Sequence, residues 1–242
     1  MKAFCLISVL SVLAVLRPVE SRAEATPADG VAVAIVVDTS GSMNDPVRDS
    51  RGTATPKATI AKRALAAVLQ RLQDFSTHES AAGTPRRLEF GLYVFDQEGT
   101  RALVPFGPFD VKQAGSWTQR VPASGGGTPL GRALETASRA VLGSPLLRKH
   151  VLVITDGMNT VGPPPDAVLP HLQKAATARQ TGLGVHFVAF DVDAKLFAPL
   201  KQLGATVVGA LDETQLNTQL GFILEKQILL EEEEPVTPPK TH

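Results

Sequence analysis

The stretch Val31-Ala32-Val33-Ala34-Ile35-Val36-Val37 runs directly into Asp38-Thr39-Ser40-Gly41-Ser42. A short, continuously apolar run that is rich in β-branched residues predicts a strand buried on both faces, as in a parallel sheet. Asp38 then stands at the carboxyl end of this strand, and the hydroxyl side chains of Ser40 and Ser42 follow it in a turn. Because open α/β sheets bind ligands at this end of their strands, the stretch predicts both a fold and the position of a site.

A second stretch repeats the pattern, since Val151-Leu152-Val153-Ile154 leads into Thr155-Asp156-Gly157. Parallel strands that are neighbours in one sheet would bring Asp38 and Asp156 close together. Two close carboxylates repel each other, so either a cation or a raised pKa must reconcile them.

A third stretch, Ser124-Gly125-Gly126-Gly127-Thr128-Pro129, precedes a predicted helix over Leu130–Leu142. Thr128 has two interpretations: it is the N-cap of that helix, with Pro129 at the first helical position, or it is a ligand. The candidate ligands of the three stretches all end in oxygen, and such sets suit Mg²⁺, Mn²⁺ or Ca²⁺. They are Asp38, Ser40, Ser42, Thr128 and Asp156.

Taken together, the three stretches resemble the metal-ion-dependent adhesion site of von Willebrand factor A (vWA) domains. The motif of that family runs Asp-x-Ser-x-Ser, then a distant Thr, then an Asp commonly in Thr-Asp-Gly, and no position is missing here. The resemblance extends over roughly Val31 to Leu230. It implies that the serines and the threonine touch a divalent cation, foremost Mg²⁺, with Mn²⁺ or Ca²⁺ possible, and that the aspartates often act through bound water. It also implies a protein partner that supplies an acidic residue to the metal.

Strand-like and helix-like segments alternate along the chain, which is typical of βαβ units. We therefore predict an α/β fold of the doubly wound, Rossmann-like vWA type, with a mostly parallel central sheet and helices on both faces. Residues Arg101–Phe106 are predicted to be the one antiparallel edge strand. The polar residues Asn44–Pro56, which include Arg48 and Arg51, are predicted to be a loop beside the site that either selects the partner or has no role.

The composition excludes several other functions. The 242 residues contain 24 basic and 24 acidic side chains, and this balance argues against a nucleic-acid partner, which usually selects a basic surface. The chain contains no P-loop, no Gly-x-Ser-x-Gly nucleophile motif and no histidines at zinc-ligand spacing in a helix.

The two ends of the chain differ from the predicted vWA domain at 26–230. Residues 1–25 have the pattern of a secretory signal peptide: Lys2, an apolar run over Phe4–Leu16, and Ala23-Glu24-Ala25 as a cleavage site. An uncleaved anchor is the alternative, although the run is shorter than the roughly 20 residues of a membrane span. Cleavage predicts a secreted, periplasmic or extracellular protein with no membrane span in the mature chain. Residues 231–242 are acidic and proline-rich, which predicts a disordered tail.

Two functional hypotheses follow, with a third behind them. The first is a non-enzymatic, metal-dependent protein-binding module for adhesion or assembly, since no general base or nucleophile accompanies the five oxygen ligands. The alternative is a Mg²⁺-dependent hydrolase, phosphatase-like, that uses the same two aspartates. The third is a scaffold in which the site has only a structural role.

Overall fold

The computed structural model of the chain describes residues 28–79, 86–96 and 99–229. Within these residues six strands form a central sheet, and two short strands form a separate hairpin. The strands in chain order are β1 (Ala28–Asp38), β2 (Pro46–Arg48), β3 (Ala54–Pro56), β4 (Leu88–Asp96), β5 (Gly99–Pro108), β6 (Leu146–Thr155), β7 (Gly184–Phe190) and β8 (Thr206–Ala210).

Six α-helices and several shorter turns connect these strands. A 3₁₀ turn follows β1 at Gly41–Asn44, and a π turn at Leu224–Ile228 continues the last helix. The helices are α1 (Lys57–Thr77), α2 (Val111–Gly115), α3 (Leu130–Leu142), α4 (Pro165–Ala178), α5 (Ala198–Gln202) and α6 (Glu213–Ile223).

The central sheet has the strand order β5-β4-β1-β6-β7-β8. All neighbouring pairs are parallel except β4 and β5, so the antiparallel strand lies at the edge. This arrangement confirms the predicted fold class. Strand β1 lies in the interior of the sheet and alternates its side chains between two cores, which is why almost all of its residues are apolar.

Each face of the sheet is covered by its own set of helices. Val33 and Ile35 of β1 pack into the core that contains residues of α1, α2 and α6. Ala34 and Val36 point to the other face, into the core that contains residues of α3, α4 and α5. The two cores hold β1 and β6 rigidly, and so they fix the loops that leave the carboxyl ends of these strands.

The topology places a switch point between β1 and β6. From β1 the chain passes through α1 to β4 on one side, and after β5 it returns through α3 to β6 on the other side. Val37 pairs with Ile154 in the register of the two strands. The loops that begin at Asp38 and Asp156 therefore diverge from the same crevice, the usual ligand position of such sheets.

The prediction of a loop over Asn44–Pro56 is wrong in part, because β2 and β3 pair there as an antiparallel hairpin. Pro46 pairs with Pro56 at its base, and Asp49 organises its turn by accepting hydrogen bonds from the amides of Arg51 and Thr53. An acidic side chain that satisfies turn amides is a strong local turn signal. The stretch is therefore an ordered element beside the carboxyl end of β1.

The segment between β7 and β8 contains two short helical elements. A 3₁₀ turn at Ala194–Phe197 precedes the short helix α5. Asp193 caps the 3₁₀ turn, since its carboxylate accepts the amide of Lys195. Pro199 lies in the first turn of α5, where its missing amide is tolerated.

The predictions for residues 1–25 and 231–242 lie outside the described residues. Among the residues that the structure does describe, no helix combines the length and apolarity needed to cross a membrane.

Candidate functional site

Asp38 is completely buried and is held by two hydrogen bonds at the end of β1. Its Oδ1 accepts the amide of Ser40 at 2.7 Å, and its Oδ2 accepts the hydroxyl of Thr155 at 2.6 Å. The second bond crosses from β1 to β6, so it ties the two strands together at the switch point. A carboxylate fixed in this way presents a defined geometry to any cation that approaches it.

Asp156 joins this cluster from the loop that follows β6. Its Oδ1 accepts the hydroxyl of Ser42 at 2.8 Å, and the Oγ atoms of Ser42 and Ser40 lie 3.2 Å apart. Because the Ser42 proton is directed at Asp156, Ser42 Oγ is the acceptor in its contact with Ser40, and its second lone pair remains to face a cation. Four of the five predicted ligands therefore form one connected group.

The fifth predicted ligand, Thr128, is brought to the group by backbone hydrogen bonds between loops. The amide of Gly41 donates to the carbonyl of Gly126 at 3.1 Å, and the amide of Gly125 donates to the carbonyl of Thr39 at 2.9 Å. A Cβ atom built on Gly157 would lie 3.8 Å from Thr128 Oγ1, which places that hydroxyl beside the Asp156 loop.

The local geometry of the Ser124–Gly127 loop requires glycine at two positions. Gly126 has φ +75°, a region that side chains rarely adopt. A Cβ on Gly127 would lie 2.9 Å from Val161 Cγ2 and 3.0 Å from Thr160 Oγ1. The loop needs glycine at these positions in order to approach the loop after β6 closely.

The interpretation of Thr128 as the cap of α3 is wrong. The helix begins at Leu130, and its N-cap residue is Pro129, which makes no side-chain capping bond. Backbone contacts of Thr128 with Thr160 hold the chain outside the helix, and Asn159 Oδ1 accepts the amide of Gly131 in the first turn. Thr128 is buried, and the hydrogen bonds that hold it in place are made by its amide and its carbonyl.

Sequence reasoning missed Lys57, the first residue of α1. Its side chain is 5% exposed, and its Nζ lies 2.8 Å from Asp156 Oδ2 and 3.4 Å from Asp191 Oδ2. A lysine in the first turn of a helix opposes the helix dipole, and this conflict was the one available signal in the sequence. Its partners lie far along the chain, and only the fold brings them together.

The electrostatics of the cluster are unbalanced. The pKa of Asp38 is raised to about 6: burial is the main cause, the hydrogen bonds from Ser40 and Thr155 partly oppose it, and the charge of nearby Asp156 adds a smaller upward effect. Burial alone would lower the pKa of Lys57, but its contacts with Asp156 and Asp191 outweigh burial and raise it. The site thus holds more negative than positive charge, and a divalent cation would relieve this excess.

The β2–β3 hairpin is attached to the rest of the domain by a second buried carboxylate, that of Glu213. Its Oε2 accepts the amide of Ser50 at 2.8 Å, and its Oε1 lies 3.3 Å from Arg63 Nε. Arg48 and Arg51, which the sequence predicted beside the site, are both exposed on this hairpin.

The donor set decides which metals fit. Among the described residues there is no group of three or more His, Cys, Asp and Glu side chains that could hold a metal ion. A cation at this site must therefore rely on hydroxyl oxygens in addition to two carboxylates, and such oxygen sets suit hard cations. The buried, lone-pair-bearing hydroxyls at the switch point fit that requirement.

Comparison with known proteins agrees with this architecture. The profile of the von Willebrand factor type A domain matches residues 33–159, which is more than half of the chain and contains all five candidate ligands. The chain belongs to this family, whose members are generally protein-interaction and adhesion modules and are typically not enzymes. A search of curated proteins finds no significant match.

Solved structures with a similar fold include a D319A mutant of the PilB minor pilin from Streptococcus sanguinis, with a TM-score of 0.59 and 14% identity over 81% of this chain and 61% of the pilin. The SpRpn10 VWA domain has a TM-score of 0.55 and 14% identity, over 79% of this chain and 93% of that domain. Proximal thread matrix protein 1 from the mussel byssus, with a zinc-occupied MIDAS motif, has a TM-score of 0.57 and 18% identity. The similarity covers 81% of this chain and 48% of the mussel protein.

The chain thus spans about three fifths of the pilin and about half of the mussel protein. At these identities the likeness concerns the fold. The mussel protein itself holds zinc in its metal-ion-dependent adhesion site (MIDAS) motif.

Proposed function

We propose that this protein is a secreted, metal-dependent protein-binding module. Asp38, Ser40, Ser42, Thr128 and Asp156 would hold a divalent cation, with Mg²⁺ the best fit and Mn²⁺ or Ca²⁺ also compatible. When bound, the cation supplies the positive charge that attracts an acidic side chain of a partner protein. This role would serve adhesion or assembly.

The observation that carries the proposal is a pair of hydrogen bonds in which hydroxyl groups donate to the two carboxylates of the site. Ser42 gives its proton to Asp156, and Thr155 gives its proton to Asp38. Each carboxylate is thereby oriented by a neutral donor, and the Ser42 and Thr128 oxygens keep lone pairs for a cation. Few carboxylates and several hydroxyls favour modest cation affinity and leave attraction for a carboxylate from outside.

The residues around the group would orient the partner. The Ser124–Gly127 loop lies against the Thr39–Gly41 turn, and the β2–β3 hairpin stands next to the same turn. Loops of this kind carry specificity while the sheet carries stability. Arg48 and Arg51, exposed on the hairpin, would add long-range attraction for an acidic partner.

Export of the protein is a further part of the proposal and depends on residues 1–25. Removal of these residues would place the domain in the periplasm or outside the cell. Detection of a mature chain that begins at residue 26, by mass spectrometry of the protein from its native source, tests it. A chain that keeps residues 1–25 would support the anchor instead.

The function is tested by capture from native extract with immobilised domain, in Mg²⁺ and again with excess chelator. We expect one or more proteins to be retained in Mg²⁺, to be released by chelator, and to be absent with an Asp38→Ala/Asp156→Ala variant. Capture that persists in chelator would contradict the cation bridge. Mg²⁺-dependent phosphatase activity that the same variant loses would favour the hydrolase.

A further inference from the structure

Lys57 occupies an unusual position for a lysine. It is the first residue of α1, it is almost fully buried, and its ammonium group contacts two carboxylates from different loops. One of these, Asp156, is a proposed cation ligand. The other, Asp191, follows β7, has φ +54° and keeps a side chain that is 38% exposed.

A gain in folding stability does not explain why a lysine is buried at this position. A cation at a helix N-terminus opposes the helix dipole, and a buried ammonium loses hydration. A lysine with a purely structural role could pair with a carboxylate outside the ligand group. Here the ammonium lies 2.8 Å from Asp156 Oδ2, while Asp156 Oδ1 accepts the Ser42 hydroxyl. The two oxygens of Asp156 are thus divided between the ligand group and the lysine.

We propose that Lys57 is a built-in counter-ion that competes with the divalent cation for Asp156. It keeps the carboxylate group together when no metal is bound, and it lowers the affinity of the site for metal. The inference rests on the proposed function, because it concerns the same site.

Asp191 gives the lysine a second partner. Its Oδ2 is 3.4 Å from Lys57 Nζ, longer than the contact to Asp156. When Asp156 turns toward a cation, Lys57 remains paired with Asp191 and is not left as an isolated buried charge. Asp191 is therefore a positioning residue for the lysine and not a ligand of the metal.

The test compares Lys57→Met and Lys57→Gln with Lys174→Met, which removes the same charge from an exposed position on α4. Calorimetric titration of chelator-treated protein with Mg²⁺ and with Mn²⁺ gives the affinity, and thermal melting in chelator gives a readout that needs no metal. We expect both Lys57 variants to bind metal at least tenfold more tightly than the parent protein and to melt several degrees lower in chelator. The Lys174 variant should match the parent in both.

If Lys57→Met does not fold in chelator, Lys57→Gln carries the affinity comparison, because its amide can still donate to Asp156. Equal or weaker metal binding by a folded Lys57 variant overturns the inference while the proposed metal site stands. Metal binding by the variant but not by the parent supports the inference and contradicts the proposed function of the parent. Binding by neither overturns both.

A double-mutant cycle with Asp191→Asn sharpens the result. With Lys57 present, loss of the Asp191 charge leaves Asp156 as the only carboxylate partner of the ammonium group. Lys57 then competes more strongly for Asp156, so Mg²⁺ affinity should fall several-fold. In the Lys57→Met background the same change should have a clearly smaller effect. Equal effects in both backgrounds would overturn the role of Asp191 as the second partner.

Discussion

The candidate metal site and the β2–β3 hairpin each contain an aspartate held by neighbouring amides and hydroxyls, yet the two carboxyls respond to their surroundings in opposite ways. Burial raises the pKa of Asp38 to about 6. The amides of Thr53 and Arg51 and the hydroxyl of Thr55 lower the pKa of Asp49 in the hairpin turn, against a smaller effect of burial. The hairpin carboxylate is satisfied by its own loop, whereas burial destabilises the ionised form of the site carboxylate.

The same contrast holds for the two cations on α1. Arg63 is 44% exposed and meets Glu213, whose other oxygen accepts a backbone amide, so this group supports the structure. Lys57 is buried between two carboxylates of the site. Buried ionisable groups whose charges do not cancel are typical of functional sites. An ion pair whose hydrogen bonds are satisfied by its neighbours is typical of a structural role.

The largest expected effect is loss of metal binding. The Asp38→Ala/Asp156→Ala variant should bind no Mg²⁺ measurable by calorimetry, since both carboxylates of the site are gone. The matched hairpin variant, Asp49→Ala/Glu213→Ala, removes the same number of charges and should bind like the parent. Equal Mg²⁺ binding by the parent and by the site variant would remove the distinction between the two regions.

The second prediction is a pH dependence with a definite sign. The pKa of Asp38 in the folded protein lies above the ordinary aspartate value of 3.8, so the folded state binds the proton more tightly. In chelator, stability should therefore rise as pH falls from about 7 through 6 toward 4, by on the order of 2 kcal/mol. Asp38→Asn should be more stable than the parent at pH 7 and should lose this slope.

Urea denaturation at several pH values, with and without saturating Mg²⁺, measures the slope. Bound cation should suppress it, because it stabilises the ionised carboxylate. A parent protein that loses stability as pH falls from 7 to 5 in chelator would show that Asp38 is not the destabilised group.

The third prediction concerns the hairpin. Replacement of residues 48–55 by a Gly-Ser link removes the Ser50 amide from Glu213, which remains buried with Arg63 as its partner. We expect a loss of about 2 kcal/mol, or roughly 4–8 °C in melting temperature, with unchanged Mg²⁺ affinity and weaker partner capture. A further Glu213→Gln change should restore part of the stability by removing the charge.

A shortened protein that captures the partner normally would leave the hairpin with a structural role alone. Specificity would then belong to the Ser124–Gly127 loop and to residues 156–164, which connect β6 and α4 and include Pro163. Reduced Mg²⁺ affinity of the shortened protein would instead show that the hairpin contributes to metal binding.

The smallest expected effect on stability belongs to Thr128→Ala. Pro129 is the N-cap residue of α3 and Thr128 makes no capping bond, so Thr128→Ala removes only a buried methyl group and a hydroxyl, and the free energy of unfolding should fall by about 1 kcal/mol. Mg²⁺ affinity should also fall, and partner capture should be lost. Unchanged Mg²⁺ affinity in the folded variant would remove Thr128 from the ligand set.

Much of the fold could be predicted from the sequence because its signals are local. The apolar runs before Asp38 and Asp156 predict buried parallel strands, and the helix over Leu130–Leu142 has the predicted bounds. The proximity of four candidate ligands followed from one rule, that neighbouring parallel strands end at the same edge of a sheet.

The remainder depends on contacts between distant residues. Lys57 meets Asp156, and the hairpin amide of Ser50 meets Glu213, in pairs that no local pattern predicts. The first-turn amide of Gly131 likewise finds its partner, Asn159, in another loop, and this explains why the capping interpretation of Thr128 was wrong. Side-chain partners far apart in sequence are fixed by packing, and packing is not visible in periodicity.

The most direct measurement is a crystal structure of the domain grown with Mn²⁺, with anomalous diffraction used to locate the ion. We expect one strong anomalous peak at the switch point, in contact with the hydroxyl oxygens of Ser40, Ser42 and Thr128. Asp156 should be turned toward the ion, with Lys57 still paired with Asp191. A peak at another position, or no peak at a Mn²⁺ concentration well above the calorimetric Kd, would contradict the proposed metal site.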